Sequence, residues 1–254
     1  MKYFVEKKSI VRQIWGKSDT VLFIFAGAAA EFALNRAVDW LYFTGMLPAD
    51  PLGRLFSTVS YARRIVFAEN EEAMKTIDRI SSIHKGVENK RGSPIPGWAY
   101  RDVLFMLIHY SIASFEVLER KLSVTEKEAV FDVFYRFGER MELQGLPENY
   151  TEWLKVREHD MENDLEKSKY TTDLFKQYKK HLGNFRYRVL IEGQIMVVPE
   201  KVRHLLHFRK FSFLNPVLPF YKISRALKLD GIIKSLILPA KYKNEIKELN
   251  TTAV

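Results

Sequence analysis

Cysteine is absent from the 254 residues. Disulfides, thiolate metal sites and a cysteine nucleophile are therefore closed to this chain. Short catalytic signatures are missing too. There is no G-x-S-x-G elbow, P-loop, dinucleotide glycine cluster, H-E-x-x-H pair or EF-hand loop. No stretch shows the sustained alternation of an exposed strand, and no internal repeat or low-complexity tract appears. Long apolar runs are lacking as well. Thr20–Ala30 (TVLFIFAGAAA) gives way to a pattern carrying Glu31, Arg36 and Asp39, short of the roughly 20 apolar residues a spanning helix needs. It reads as a buried helix and not as a signal or an anchor. No linker long enough to separate domains is visible.

What is present is helical and aromatic. Apolar residues make up 47% and charged residues 28%, the balance of a chain with a real core. The 18 Phe, 12 Tyr and 4 Trp are enough either to wall an apolar cavity or simply to fill that core. The net charge of +9 is uneven: Lys201–Lys243 holds ten Lys or Arg and one acid, Asp230. Such a tract suits an anionic partner or a solvated basic face. Its interleaved Phe208, Phe211, Phe213 and Phe220 favour a membrane surface over nucleic acid, for which no recognised motif exists and which is not an expected partner.

Helical periodicity sets the elements. A first helix is expected over Ser9–Trp15, and a second from Ser18 or Asp19 towards Thr44. A third is capped by Asp50 with Pro51 in its first turn. On that helix Leu52, Phe56, Val59, Ala62 and Val66 form an apolar stripe, and Arg54, Ser57, Thr58 and Tyr61 form a polar stripe beside it. Glu71–His84 is the fourth helix, Lys85–Gly97 a loop and Asp102–Leu122 a strongly apolar helix. Ser123 and Glu126 can box the start of the next. Thr151–Glu166 and Thr171–Leu182 follow. Tyr187–Val198 fits a helix or a buried strand, and prolines divide the basic tail into three short helices. The fold class is all-α, a single-domain multi-helix bundle around a haem-sized apolar pocket. The domain spans 19–243, between an N-terminal extension (1–18) and a tail (244–254).

Six histidines remain as candidate ligands. His159 sits among charges, His181 closes a helix, and His204 and His207 lack a carboxylate to complete a metal set. His84 and His109 differ, because each lies on an apolar helix. Two readings stay open for them: core histidines with satisfied hydrogen bonds, or imidazoles bound to iron in an aromatic pocket.

A longer pattern bears on that choice. Asp50-Pro51, Arg54 and Thr58 are followed by Val66-Phe67 and Glu71-Glu72-Ala73. His84, Val87, Tyr100 and His109 come next. In this order they resemble the MpaB-type oxygenases, a family that includes the rubber oxygenases called latex clearing proteins. Leu236–Tyr242 (LILPAKY) resembles that family's ending, so the likeness covers roughly Asp19–Tyr242. It implies an all-helical fold around a b-type haem, with His84 as the iron ligand and Arg54 and Thr58 beside the haem as catalytic residues. By the same likeness His109 would be a pocket residue, with Ser57 and Tyr61 on the cofactor wall.

Four positions depart from the pattern. Ser81 and Glu88 stand where basic residues are usual, and Leu107 stands where a tryptophan is. Ser57 occupies the place of a lysine that caps the iron in rubber oxygenases, which implies a more open distal side. The expected function is haem b-dependent oxygenation, with dioxygen, of an apolar isoprenoid- or lipid-like molecule. Cleavage of a carbon–carbon double bond follows only by analogy. The alternative is a non-catalytic lipid-binding helical protein at a membrane surface. The expected location is cytoplasmic, with peripheral membrane contact through residues 201–243.

Overall fold

The computed structural model describes residues 2–227. Twelve helices follow one another: α1 (Ile10–Trp15), α2 (Ser18–Phe32), α3 (Val38–Phe43), α4 (Met46–Ala49), α5 (Pro51–Phe67), α6 (Asn70–Arg91), α7 (Gly97–Leu118), α8 (Val124–Arg140), α9 (Tyr150–Asp164), α10 (Lys169–Val197), α11 (Glu200–Leu205) and α12 (Leu218–Ala226). Among the described residues extended pairing is limited to two isolated bridges, Tyr3 with Glu69 and Asn35 with Leu165. The protein is an all-α, multi-helix fold. No helix among these residues is long and apolar enough to cross a membrane.

Helix α7 is apolar nearly all round, and α2 packs along it; such helices belong at a centre and not at a surface. Gly27 allows the closest approach, since a Cβ there would stand 2.3 Å from the Tyr110 ring. Trp15, fully buried, donates from Nε1 to Ser111 Oγ at 3.1 Å and so fixes α1 on the same centre. Residues 2–18, read from sequence as an extension, thus supply core side chains: Phe4, Val11 and Ile14 are buried with Trp15.

Local signals explain most boundaries. Ser9 Oγ accepts from Val11 N, Asp50 Oδ1 accepts from Gly53 N, and Ser123 and Glu126 form the expected reciprocal box at α8. Two boundaries differ from the sequence reading. The helix expected from Ser18 towards Thr44 breaks after Phe32. There Asn35 Oδ1 accepts from Ala37 N at 2.9 Å while its Nδ2 donates to Asp102 Oδ2 at 2.7 Å. An amide that competes for backbone partners ends a helix in a way periodicity cannot register. The expected loop 85–97 is helical as far as Arg91. That residue holds Asp39 at 2.6 Å and lies 3.9 Å over the Trp40 ring, and Gly92 then ends α6 in the left-handed region at φ +74°. Tyr187–Val198 is helical, the second limb of α10 beyond a kink at Gly183. Of the three tail helices, α11 and α12 are seen. The ending Leu236–Tyr242 lies outside the described residues.

Candidate functional site

Helices α5, α6 and α7 each contribute one stripe to a single cavity of about 350 Å³. From α5 come Arg54, Thr58, Tyr61 and Ile65; from α6 come Ile80, Ile83, His84 and Val87; from α7 come Tyr100, Val103, Leu104 and Leu107. Within each helix these residues recur at three, four or seven, with Ile83-His84 and Val103-Leu104 adjacent, so each set is one broad face. The volume lies in the lower part of the range for small-molecule sites, and the wall is overwhelmingly apolar.

His84 and Arg54 are the polar exceptions that matter. Burial, aided by the neighbouring Arg54 charge and opposed by Glu88, pushes the His84 imidazole down to about 4. The ring is therefore neutral near pH 7, the form that ligates metals. Its Nδ1 is buried without a hydrogen-bond partner, and the ring lies 5.0 Å from that of Tyr100. Burial also lowers Arg54, whose guanidinium neighbours Tyr61 and His84. A mostly buried guanidinium with no acidic partner among the described residues, facing an apolar cavity, suits an anionic group on a ligand.

The other wall groups are less free. Thr58 Oγ1 donates to the Arg54 carbonyl at 3.1 Å, so its proton is engaged and its lone pairs remain. Glu88 accepts from Ile95 N at 2.8 Å and from Tyr100 Oη at 3.0 Å. This acid thereby clasps the α6–α7 connection. Tyr100 was passed over as a site residue by the sequence reading. Its spacing of seven from Leu107 was the signal that could have placed it on the wall.

Two predicted site residues lie elsewhere. Ser57 is exposed and is not part of the cavity wall. His109, three positions beyond the lining residue Met106, is itself not part of the cavity wall. It belongs instead to a buried polar group. In it Arg157 of α9 donates to Glu31 of α2 at 2.6 Å, and Tyr110 Oη donates to the same carboxylate at 2.8 Å. Burial opposes the Glu31 charge, but Arg157 overrides it and holds the carboxyl below its ordinary range. Burial and Arg157 push His109 down to about 4, against Glu31 and a hydrogen bond to the Val197 backbone. Three helices meet on this ion pair, and the sequence carried no sign of it.

A second carboxylate cluster joins α7 to α9. Oxygens of Asp102, Asp160 and Asp164 lie within 4.8 Å of one another. Arg101 already donates to Asp160 at 3.0 and 3.2 Å, and burial with Asp164 raises Asp102 to about 7. Arg101 thus offsets part of the cluster's charge, while Asp102 Oδ1 is buried without a hydrogen-bond partner.

Comparison of the chain with curated proteins and with solved structures returns no match. A family model described as "ER-bound oxygenase mpaB/B'/Rubber oxygenase, catalytic domain" does match, over residues 13–227. The matched span takes in α5, α6 and α7 with the stripes they contribute to the cavity, and the chain belongs to this family of oxygenases, as an enzyme of the oxidoreductase class.

Proposed function

We propose that the chain is a haem-dependent oxygenase acting on an apolar, isoprenoid- or lipid-like chain, with the cofactor held between α5, α6 and α7. One observation carries the reading: a neutral His84 and an Arg54 with no acidic partner among the described residues face the same apolar cavity. Three features of the residues suit a b-type haem. The imidazole is in its ligating form, with a buried nitrogen that lacks a partner. The guanidinium suits a propionate or another anionic group. Glu88, which would repel such a group if it faced the cavity, is bound to Ile95 and Tyr100.

His84 is the residue to hold the iron, and Arg54 the residue to fix the charged edge of the cofactor or the distal oxygen substrate. Thr58 accepts hydrogen bonds on this wall, because its own proton is committed to the Arg54 carbonyl. With Ser57 at the surface, α5 offers no competing ligand from that position. The aromatic and aliphatic wall excludes water and favours an apolar chain. A bound haem would supply the iron on which dioxygen is activated. Cleavage of a carbon–carbon double bond into two carbonyls takes up both oxygen atoms and needs no electrons beyond those of the alkene.

The test is an absorption spectrum of the purified, haem-reconstituted chain. A Soret band is expected, lost in His84→Ala and kept in His109→Gln. Arg54→Ala should weaken haem retention about tenfold, with Arg54→Lys between it and the wild type, consistent with loss of a charge-assisted contact worth roughly 1.5 kcal/mol. No Soret band, or a band indifferent to His84→Ala, removes the proposal.

A further inference from the structure

Helix α12 is mounted with its apolar side outward. Its inner face is polar: Tyr221 Oη donates to Asp19 Oδ2 at 3.1 Å, and Arg225 donates to Asp19 at 2.8 Å and to Glu119 at 2.7 Å. Its outer face carries Phe220, Ile223 and Leu227, spaced three and seven apart on one stripe and 71%, 59% and 65% exposed. A helix of a soluble surface has the opposite arrangement.

The segment before it is built the same way. Glu192 accepts from Arg209, from Ser212 Oγ at 2.9 Å and from Phe213 N at 2.7 Å. Ser212 is thereby buried while Phe211 and Phe213 stand out on either side of it. Six of the eleven exposed large apolar side chains among the described residues fall in 211–227. Polar anchors on the body hold this stretch in place, so the exposure is not that of a chain end swinging free.

Charge selects the occupant. Residues 201–227 contain Lys201, Arg203, Arg209, Lys210, Lys222 and Arg225 and no Asp or Glu. Arg209 lies 3.8 Å over the Phe213 ring and Lys210 5.8 Å from that of Phe211, so cations border the outward aromatics. Lys201 is paired with Glu162, Arg203 with Glu200, Arg209 with Glu192, and Arg225 with both Asp19 and Glu119. Among the described residues Lys210 and Lys222 are thus the cations of this face without an acidic partner, and like charges at these two positions argue against self-association through it. Aromatic and aliphatic tips beside cations fit the boundary between acyl chains and anionic headgroups.

We propose that the 211–227 face docks on an anionic lipid surface. Phe211, Phe213, Phe220, Ile223 and Leu227 enter the headgroup boundary, and Lys210 and Lys222 meet the lipid charges. The inference stands apart from the haem reading, because none of these residues lines the cavity.

The test is cosedimentation of the full chain with vesicles of phosphatidylcholine containing phosphatidylserine, against vesicles of phosphatidylcholine alone. Binding is expected only to the anionic vesicles and should weaken with added salt. Phe220→Ser with Ile223→Ser should reduce it about tenfold or more. Lys210→Glu with Lys222→Glu should reduce it at least 25-fold, from about fivefold per lysine lost near the surface. Both variants alter exposed or part-exposed positions, so circular dichroism should show unchanged folding, and either one alone keeps the test decisive. Four results overturn the proposal: no binding to anionic vesicles, equal binding to neutral ones, binding unaffected by both variants, or self-association that Phe220→Ser with Ile223→Ser abolishes.

Discussion

Arg157 and Glu31 carry opposite charges at positions 4% and 1% exposed, and neither tolerates the loss of the other. Glu31→Gln leaves a buried guanidinium without its counter-charge, at a cost of about 3–5 kcal/mol. The double change Glu31→Leu with Arg157→Met removes both charges and should recover most of that loss, as urea denaturation of the wild type and the two variants will show. The contrast with Arg54 is instructive. Arg157 has a partner and serves stability, whereas Arg54 faces the cavity with no acidic partner among the described residues. Residue type and helical position suggest the same thing for both, and only the partner separates them. The same holds for the histidines. His84 and His109 look alike in sequence, each embedded in an apolar helix, yet His84 lines the cavity whereas His109 lies off its wall beside Glu31 and Arg157.

Helices in this fold meet at distances that single glycines permit or ignore. Gly27 lets α2 lie against Tyr110, with a built Cβ at 2.3 Å from the ring and 2.9 Å from Val197. Gly27→Ala therefore forces α2 and α7 apart and should destabilise by about 1–3 kcal/mol, as overpacking does. Gly86 lies inside α6 with nothing within 4 Å of a built Cβ. There alanine should stabilise by up to about 1 kcal/mol through helix propensity alone. Thermal melts of the two variants should move in opposite directions. Caps at this scale were legible in the sequence: Asp50, Ser123 and Glu126 act where their spacing says they should. The break at Asn35 was not, because it depends on Asp102, 67 residues away, accepting from the same amide.

For the whole molecule, acidity collects these local environments into one observable. In the haem-free chain His84 and His109 are both pushed down to about 4 from 6.5. Between those values the unfolded chain binds two protons that the folded chain does not, so stability falls as pH drops through that interval. Asp102, raised to about 7 from 3.8, acts in the opposite sense, since the folded chain holds a proton there that the unfolded chain has released. Asp164, also raised, adds to it. Two histidines against one strongly shifted aspartate leave a net loss of order 1 kcal/mol from pH 7 to pH 5. Asp102→Asn removes the main opposing contribution and should make that loss several-fold steeper, while raising stability at pH 8. Denaturation midpoints at pH 5, 7 and 8 for both proteins will show the two slopes. A flat wild-type profile would mean that the histidines are not buried as the structure has them.

The all-helical class, the third helix with its cap and polar stripe, and the resemblance built on Arg54, Thr58 and His84 all follow from periodicity and local spacing. These are short-range properties that a linear chain carries outright. Tertiary structure decided which polar groups share a space. It gathered three stripes into one cavity, assigned His109 to an ion pair, turned Ser57 to the surface, bound Glu88 to the α6–α7 connection and mounted α12 with its apolar side outward. Each of these depends on rotation about a helix axis or on a partner far along the chain. Neither is encoded by residue type at a single position.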